Sequence, residues 1–169
     1  MLNDDFKPAR HDSEFAYCRF NPNPRNKVTS DCVKRAIVVA SGIAYKELEL
    51  DMNRNKRIKT EPYNDKRNYE PYITQTLGGK GIGCNVPIGR KRWTTQSIAK
   101  VLQRYKSRNF ILRVSHHLIG IRQGVLYDFN DIRSSEKAVY KIYVFGATEK
   151  ELTEIKTILQ QGDRRRFIL

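Results

Sequence analysis

A chain of 169 residues is long enough for one domain with a buried core and short for two full domains. Its 32 Lys and Arg residues outnumber its 18 Asp and Glu residues. The resulting net charge of +14 favours acidic partners, either nucleic acid or an acidic protein surface. No apolar run approaches the roughly 18 residues of a membrane span, so we expect no membrane-spanning segment.

The N-terminal residues and the cysteines bear on the compartment in which the protein acts. The sequence MLNDDFKPARHDSEF has no apolar core, so we expect no secretory signal and a cytoplasmic rather than secreted protein. The three cysteines form no CxxC pair, which argues against a disulfide framework or a zinc site and fits a reducing compartment. We therefore expect neither a metal nor a cofactor.

Residues 1–28 are predicted to form an irregular arm, because the sequence Asn21-Pro22-Asn23-Pro24 favours turns and excludes a helix or a central strand. Aromatic residues of the arm are expected to pin it to the core: Phe15, Tyr17 and Phe20. Residues 29–162 are predicted to form a single domain, and residues 163–169 a basic tail.

The first helix is predicted from about Asp31 to Ser41. Apolar residues recur there at the spacing of a buried helical stripe: Val33, Ala36, Ile37 and Ala40. Ser30 and Asp31 are good N-cap residues, so Cys32 lies in the first turn. Free backbone N–H groups and the helix dipole favour an anion at that position and lower the pKa of a thiol. The alternative is that Cys32 is simply a small apolar residue packed in the core.

A second helix is predicted over about Tyr45 to Asn53, and residues 54–72 are predicted to form a long surface loop. This loop interleaves basic residues with tyrosines. It is either a solvated loop or a segment that holds a nucleic-acid strand by charge and stacking. Residues 77–84 are rich in glycine, but their spacing matches neither phosphate-binding fingerprint, so we predict a flexible loop beside a cleft.

The second half of the chain is predicted to be mainly strands between two helices. A helix over about 95–106, capped by Thr94 or Thr95, precedes them, and a helix opening at a Thr148–Glu151 capping box and ending at Gly162 follows them. Gln123-Gly124 predicts a tight turn. The strands are predicted over residues 109–121, 125–128 and 138–145. Helices followed by a group of antiparallel strands and a terminal helix indicate an α+β fold.

A nucleophile, a base and an orienting carboxylate can be assembled from Cys32, His117 and Asp128. His117 and Asp128 lie on the two strands of the predicted hairpin, whose cross-strand neighbours approach to about 5 Å. His116 competes with His117 for the role of base. In one continuous strand, alternation puts His116 on an apolar face and His117 on a face with a polar centre. We therefore favour His117 and expect His116 to be a partly buried structural histidine.

An oxyanion formed at this site needs hydrogen-bond donors. The backbone N–H of Cys32 is one donor. The side-chain amide of Asn26, upstream of Cys32, is a candidate for the second, and the alternative is that Asn26 is an ordinary turn residue.

Two segments, about residues 29–52 and 94–129, carry spaced residues that together are typical of one family. The first segment contains Asp31-Cys32, Arg35-Ala36, Ser41-Gly42 and Tyr45. The second contains Arg113-Val114-Ser115, His117-Leu118, Gly124 and Tyr127-Asp128. These residues resemble the "DCxxRA", "TG..Y", "(I/V)xRVSxH(L/V)" and "DGxxYD" patterns of small papain-like cysteine-peptidase-fold proteins, which are common in bacteriophage and bacterial genomes. The resemblance selects His117 over His116.

The resemblance implies a papain-like α+β fold, in which N-terminal helices pack on an antiparallel sheet and a helix follows at the C-terminus. The Cys lies at the start of the central helix, and the sheet carries the His and the Asp. An upstream Gln or Asn completes the oxyanion hole in this family. This chain has no Gln before Cys32, and Asn26 is the substitute that it offers.

The leading hypothesis is a phage-encoded cysteine peptidase or related thiol acyl-transfer hydrolase with a peptide or protein substrate. The alternative is a catalytically silent protein on the same fold, since a fold does not fix a function. Such a protein would be a virion component, or a binder of nucleic acid or of an acidic host protein through its basic surface. Either protein would act in the host cytoplasm or in the virion.

Overall fold

The protein is an α+β fold in the computed structural model, which describes residues 16–26, 30–130, 132 and 135–163. In these ranges there are five α-helices and one six-stranded sheet. The helices are Cys32–Ser41 (α1), Tyr45–Arg54 (α2), Lys66–Pro71 (α3), Thr95–Leu102 (α4) and Glu149–Gln160 (α5). The strands are Ala16–Arg19 (β1), Lys80–Gly83 (β2), Asn109–Val114 (β3), His117–Arg122 (β4), Val125–Asp128 (β5) and Lys141–Phe145 (β6).

Helix α1 is the central helix, as its apolar stripe predicts. Every residue from Val33 to Ala40 is buried, and Gly42 ends the helix with a φ of 76° while its N–H bonds to the carbonyl of Val38. The helix packs against β4. A Cβ at Gly120 would lie 2.5 Å from the Cβ of Val39, so glycine is required where the strand and the helix approach each other most closely.

The strand order in the sheet is β1-β5-β4-β3-β6-β2. All neighbours are antiparallel except β1 and β5, which are parallel, so the sheet is mixed and the prediction of an antiparallel sheet is wrong in this respect. The difference arises in residues 1–28, which we predicted as an irregular arm. Ala16–Arg19 instead form an edge strand, with Cys18 opposite Tyr127. Phe15 lies outside the described residues.

The β3–β4 connection also differs from the prediction of one strand over residues 109–121. Ser115 and His116 form a two-residue turn, and Val114 pairs with His117 across the hairpin. His116 takes a φ of 55°, a left-handed conformation, and Ser115-His116 lacks the Asn-Gly or Asp-Gly pattern by which such hairpin turns are predicted. The predicted turn at Gln123-Gly124 is confirmed, with φ values of 49° and 77°.

Two segments that we predicted as loops contain regular structure. Residues 54–72 include α3, which begins after Asp65, whose side chain accepts a hydrogen bond from the Arg67 N–H, and continues into a π-helix over Tyr72–Thr76. The glycine-rich segment contains β2, which pairs with β6 at the edge of the sheet. Both elements are short, and β2 depends on its partner strand, so local sequence patterns do not reveal them.

The remaining predicted elements are confirmed within a few residues. Helix α2 matches the prediction, α4 is capped by Thr94 and ends in a 3₁₀ turn over Gln103–Tyr105, and α5 opens with the Thr148–Glu151 capping box. Strand β6 is shorter than predicted, and Ala138 forms only an isolated bridge. None of the described helices has the length and hydrophobicity needed to cross a membrane. The basic tail beyond Asp163 lies outside the described residues.

The sheet separates two apolar layers. One buried cluster joins α1 and α2 to one face of the sheet, and the other joins α4 and α5 to the opposite face. The first residue of α1, Cys32, lies beside His117, at the end of the sheet where β4 begins and β5 ends. This end of the sheet holds the site described next.

Candidate active site

Cys32 is the first residue of α1, so its sulfur and backbone N–H lie at the positive end of the helix. Asp31 occupies the N-cap position, but its carboxylate does not cap the helix. It accepts hydrogen bonds from the Tyr45 hydroxyl at 2.6 Å and from the Asn23 side-chain amide at 3.4 Å. Because the expected side-chain cap is absent, the N–H groups of the first turn remain available to a ligand.

His117 and Asp128 meet as the sequence predicts. His117 is the first residue of β4 and Asp128 the last of β5, and the two strands are antiparallel neighbours. His117 Nε2 lies 2.5 Å from Asp128 Oδ2. The backbone N–H of Phe129 donates to Asp128 Oδ1 at 2.7 Å, which further fixes the carboxylate. With Nε2 engaged, Nδ1 is the imidazole nitrogen left for the nucleophile.

Cys32 and His117 form the second contact of the set, and the pKa of each shifts towards the charged form. Burial acts to raise the pKa of Cys32, but a hydrogen bond with His117 and a backbone hydrogen bond from Leu118 outweigh it. The charges of His117 and Arg35 add to these effects, and the pKa of Cys32 falls below its ordinary value. This environment favours a thiolate.

For the imidazole, burial acts to lower the pKa of His117, but the hydrogen bonds with Asp128 and then with Cys32 raise it to about 9. Since this value lies above the ordinary pKa of 6.5, the shift stabilises the fold fully below pH 6.5. That contribution is lost as the pH rises through about 9. The two shifts act in the same direction, since both favour a thiolate beside an imidazolium.

We expect the imidazole protons of His117 to titrate near pH 9 in an NMR titration. In the Asp128→Asn variant, the neutral amide no longer favours the imidazolium, and the pKa of His117 should fall. A Glu149→Gln variant is a matched control, because it removes a carboxylate at the start of α5 instead. An unchanged titration of His117 in Asp128→Asn would contradict the assigned pair.

Arg35 is a fourth member of the site that the search for a catalytic set missed. Its Nη1 donates to Asp128 Oδ1 at 3.1 Å, and the two side chains are only 3% and 2% exposed. Its Nε and Nη2 atoms are buried and have no hydrogen-bond partner in the described structure. The sequence gives no clear signal for it, because Arg35 falls outside the apolar stripe of Val33, Ala36, Ile37 and Ala40, and its burial appears only in the structure. Arg35 links α1 directly to the carboxylate that holds His117.

A cleft of about 760 Å³ opens at these residues. It is lined by Cys32, Arg35 and His117 together with polar side chains for which the sequence predicts no role at the site: Asn64, Lys66, Tyr69, Arg113 and Asn130. His116 also lines it, but this residue is exposed in the β3–β4 turn rather than partly buried as predicted. The turn interrupts the alternation on which that prediction rested.

Asn26 is not brought to this cleft. It is exposed in a turn, with a φ of 51°, and its backbone N–H donates to the carbonyl of Asn23 at 2.9 Å. The turn interpretation of Asn26 therefore fits its position. The backbone N–H groups that the structure places beside the sulfur are those of the first turn of α1, beginning with Cys32, and that of Leu118.

In the part of the chain that the structure describes, no group of three or more His, Cys, Asp or Glu residues could hold a metal ion. Comparisons of this chain with protein-family models, with curated proteins and with solved structures found no match.

Proposed function

We propose that the protein is a cysteine peptidase or a related thiol acyl-transfer hydrolase. The observation that carries the proposal is the position of His117, whose imidazole contacts Asp128 through Nε2 and Cys32 on its other side. A thiol at a helix N-terminus, a base and an orienting carboxylate form a nucleophilic set. A helix that carries the Cys and packs on a sheet that carries the His and the Asp also supports a papain-like arrangement.

The geometry suggests a role for each group. The Cys32 thiolate attacks the carbonyl carbon of an amide or ester, and the developing oxyanion accepts a hydrogen bond from the Cys32 N–H at the start of α1. The His117 imidazolium then gives its proton to the leaving amine or alcohol as the acyl–oxygen or acyl–nitrogen bond breaks. Water then attacks the thioester carbonyl while neutral His117 takes its proton, and the C–S bond breaks, which releases the acid and restores the thiolate–imidazolium pair.

The rate at which iodoacetamide alkylates Cys32, measured against pH by peptide mapping, tests the proposal. In the wild type we expect reactivity to begin well below the ordinary thiol pKa of about 8.5, because His117 lowers the pKa of Cys32. In His117→Ala, the onset should move to higher pH. His116→Ala is a matched control, since it removes the neighbouring exposed imidazole and should leave the profile unchanged.

Two outcomes would count against the proposal: an unreactive Cys32 near neutral pH, or a profile that His117→Ala does not change. Either result would favour the alternative, a catalytically silent protein on this fold. Its function would then rest on the basic surface, whose net charge of +14 suits nucleic acid or an acidic protein.

A further inference from the structure

The cleft is lined by cations and by no acidic side chain among its described residues. Arg35, Lys66 and Arg113 all line it, and no Asp or Glu does so. Arg35 is neutralised by Asp128, and Lys66 lies 3.4 Å from Glu70. Arg113 differs from both, because its guanidinium makes no ion pair within the described residues. Among the described residues of the cleft wall, it is the Lys or Arg side chain that contacts no carboxylate.

The position of Arg113 in the sheet makes this lack of a partner unfavourable. Arg113 is half-buried on β3 and lies directly opposite Lys141 on β6. Like charges at directly opposed positions of a sheet destabilise it. Glu70 neutralises Lys141 through a short ion pair and also accepts a hydrogen bond from the Tyr143 hydroxyl at 3.1 Å. Of the two neighbouring cations, only Lys141 is therefore compensated.

We propose that Arg113 binds a substrate carboxylate, so that the cleft selects acyl substrates with an Asp or Glu side chain near the scissile carbonyl. The inference rests on the proposed function, because it places the carboxylate relative to the acyl group that Cys32 attacks. A guanidinium pairs with a carboxylate through two parallel hydrogen bonds, which gives orientation as well as charge. The bound carboxylate would supply the anion that Arg113 lacks.

A pair of alkylating reagents tests the charge preference without a known substrate. Iodoacetate and iodoacetamide have nearly the same size, and each forms an S–C bond with Cys32 as the C–I bond breaks and iodide leaves. They differ in carrying a carboxylate or a neutral amide. The ratio of their rates at Cys32, divided by the same ratio for N-acetylcysteine, measures the preference of the cleft for an anion.

We expect iodoacetate to be favoured by this normalised ratio, and the ratio to fall on the order of fivefold in Arg113→Gln. Added salt should weaken the preference in the wild type. Arg104→Gln is the matched control, because it removes the same charge from an exposed residue. Arg104 lies beside Gln103, which bonds to Gly124 at the opposite end of the β4–β5 hairpin from His117. Its ratio should equal that of the wild type.

A second arm tests whether the anion belongs to a peptide. Cys32 is protected from iodoacetamide with a short peptide that contains Glu, with the same peptide containing Gln, or with a single-stranded oligonucleotide. We expect the Glu peptide to protect best, and Arg113→Gln to remove its advantage over the Gln peptide. Stronger protection by the oligonucleotide at equal concentration would overturn the assignment to acidic peptides.

The outcomes separate this inference from the proposed function. Suppose that Cys32 reacts rapidly with both reagents but Arg113→Gln leaves the ratio unchanged. The proposed reactive thiolate is then supported, and the role of Arg113 is overturned. If Cys32 reacts with neither reagent at neutral pH, the proposed function fails and this inference fails with it. Arg113→Gln should stay folded, because removing an uncompensated cation opposite Lys141 should not lower the melting temperature. A changed rate ratio in this variant therefore reports on the cleft rather than on unfolding.

Discussion

The Cys32→Ala variant is expected to lose acyl-enzyme formation with p-nitrophenyl acetate, with a fall in rate of roughly three orders of magnitude or more. The acetyl group would be carried by the Cys32 sulfur, and alanine has no nucleophile to replace it. The fold should be retained, since Cys32 is only partly buried and its backbone N–H stays at the start of α1. Release of p-nitrophenol and the mass of the acetylated protein measure the two products of the acylation step.

Cys84→Ala provides the matched control for this experiment. Cys84 is buried, and burial raises the pKa of its thiol to about 12, so it should not be acylated. Its removal should leave acylation of the protein intact, even if the cavity lowers stability slightly. Acetylation that persists in Cys32→Ala at the wild-type rate would contradict the assignment of the nucleophile.

The candidate set could be selected from sequence because its members lie where local signals are strong. A capped, amphipathic pattern places Cys32 at a helix start, and the Gln123-Gly124 turn fixes the hairpin that brings Asp128 to His117. The preference for His117 over His116 depends partly on the alternation of faces along one continuous strand, and this strand is not what the structure contains. The structure has a turn at His116 instead of one continuous strand, so alternation across residues 109–121 does not apply.

Other features depend on partners that are distant in the chain. Strand β1 forms because it can pair with β5, and its four residues carry no pattern that distinguishes them from an irregular arm. Strand β2 likewise depends on β6. The sequence also does not show that Arg113 lacks a carboxylate partner. Arg113 meets Lys141 only when β3 pairs with β6, and Lys141 takes Glu70, which is distant in the chain, as its partner. Such relations arise from tertiary structure rather than from propensity.

The Arg35→Met variant is expected to lose about 3–5 kcal/mol of unfolding free energy, because it breaks a buried ion pair and leaves the Asp128 carboxylate, only 2% exposed, with His117 as its partner. For a chain of this size that loss corresponds to a fall in melting temperature of about 6–20 °C. Methionine keeps most of the side-chain volume, so the loss reports on charge rather than on a cavity. Calorimetry or chemical denaturation at pH 7 measures it.

Lys34→Met is the matched control, because Lys34 is the neighbouring residue on α1 and is equally buried, with 3% exposure. Its partner Glu49 is 27% exposed and also bonds to Arg25, so Glu49 keeps contact with water and with a second cation. Lys34→Met should therefore destabilise the protein less than Arg35→Met does. Equal losses in the two variants would contradict the importance assigned to the buried pair.

The double variant Arg35→Met/Asp128→Asn separates the structural role of the ion pair from its role at the site. Removing both charges eliminates the buried carboxylate that has lost its guanidinium partner, so we expect much of the stability lost in Arg35→Met to return. The pKa of Cys32 should nevertheless rise, because an amide favours the His117 imidazolium less than a carboxylate does. A stable double variant whose Cys32 alkylates only at higher pH would show that the Asp128 carboxylate favours the thiolate through His117, apart from the stability that its ion pair with Arg35 provides.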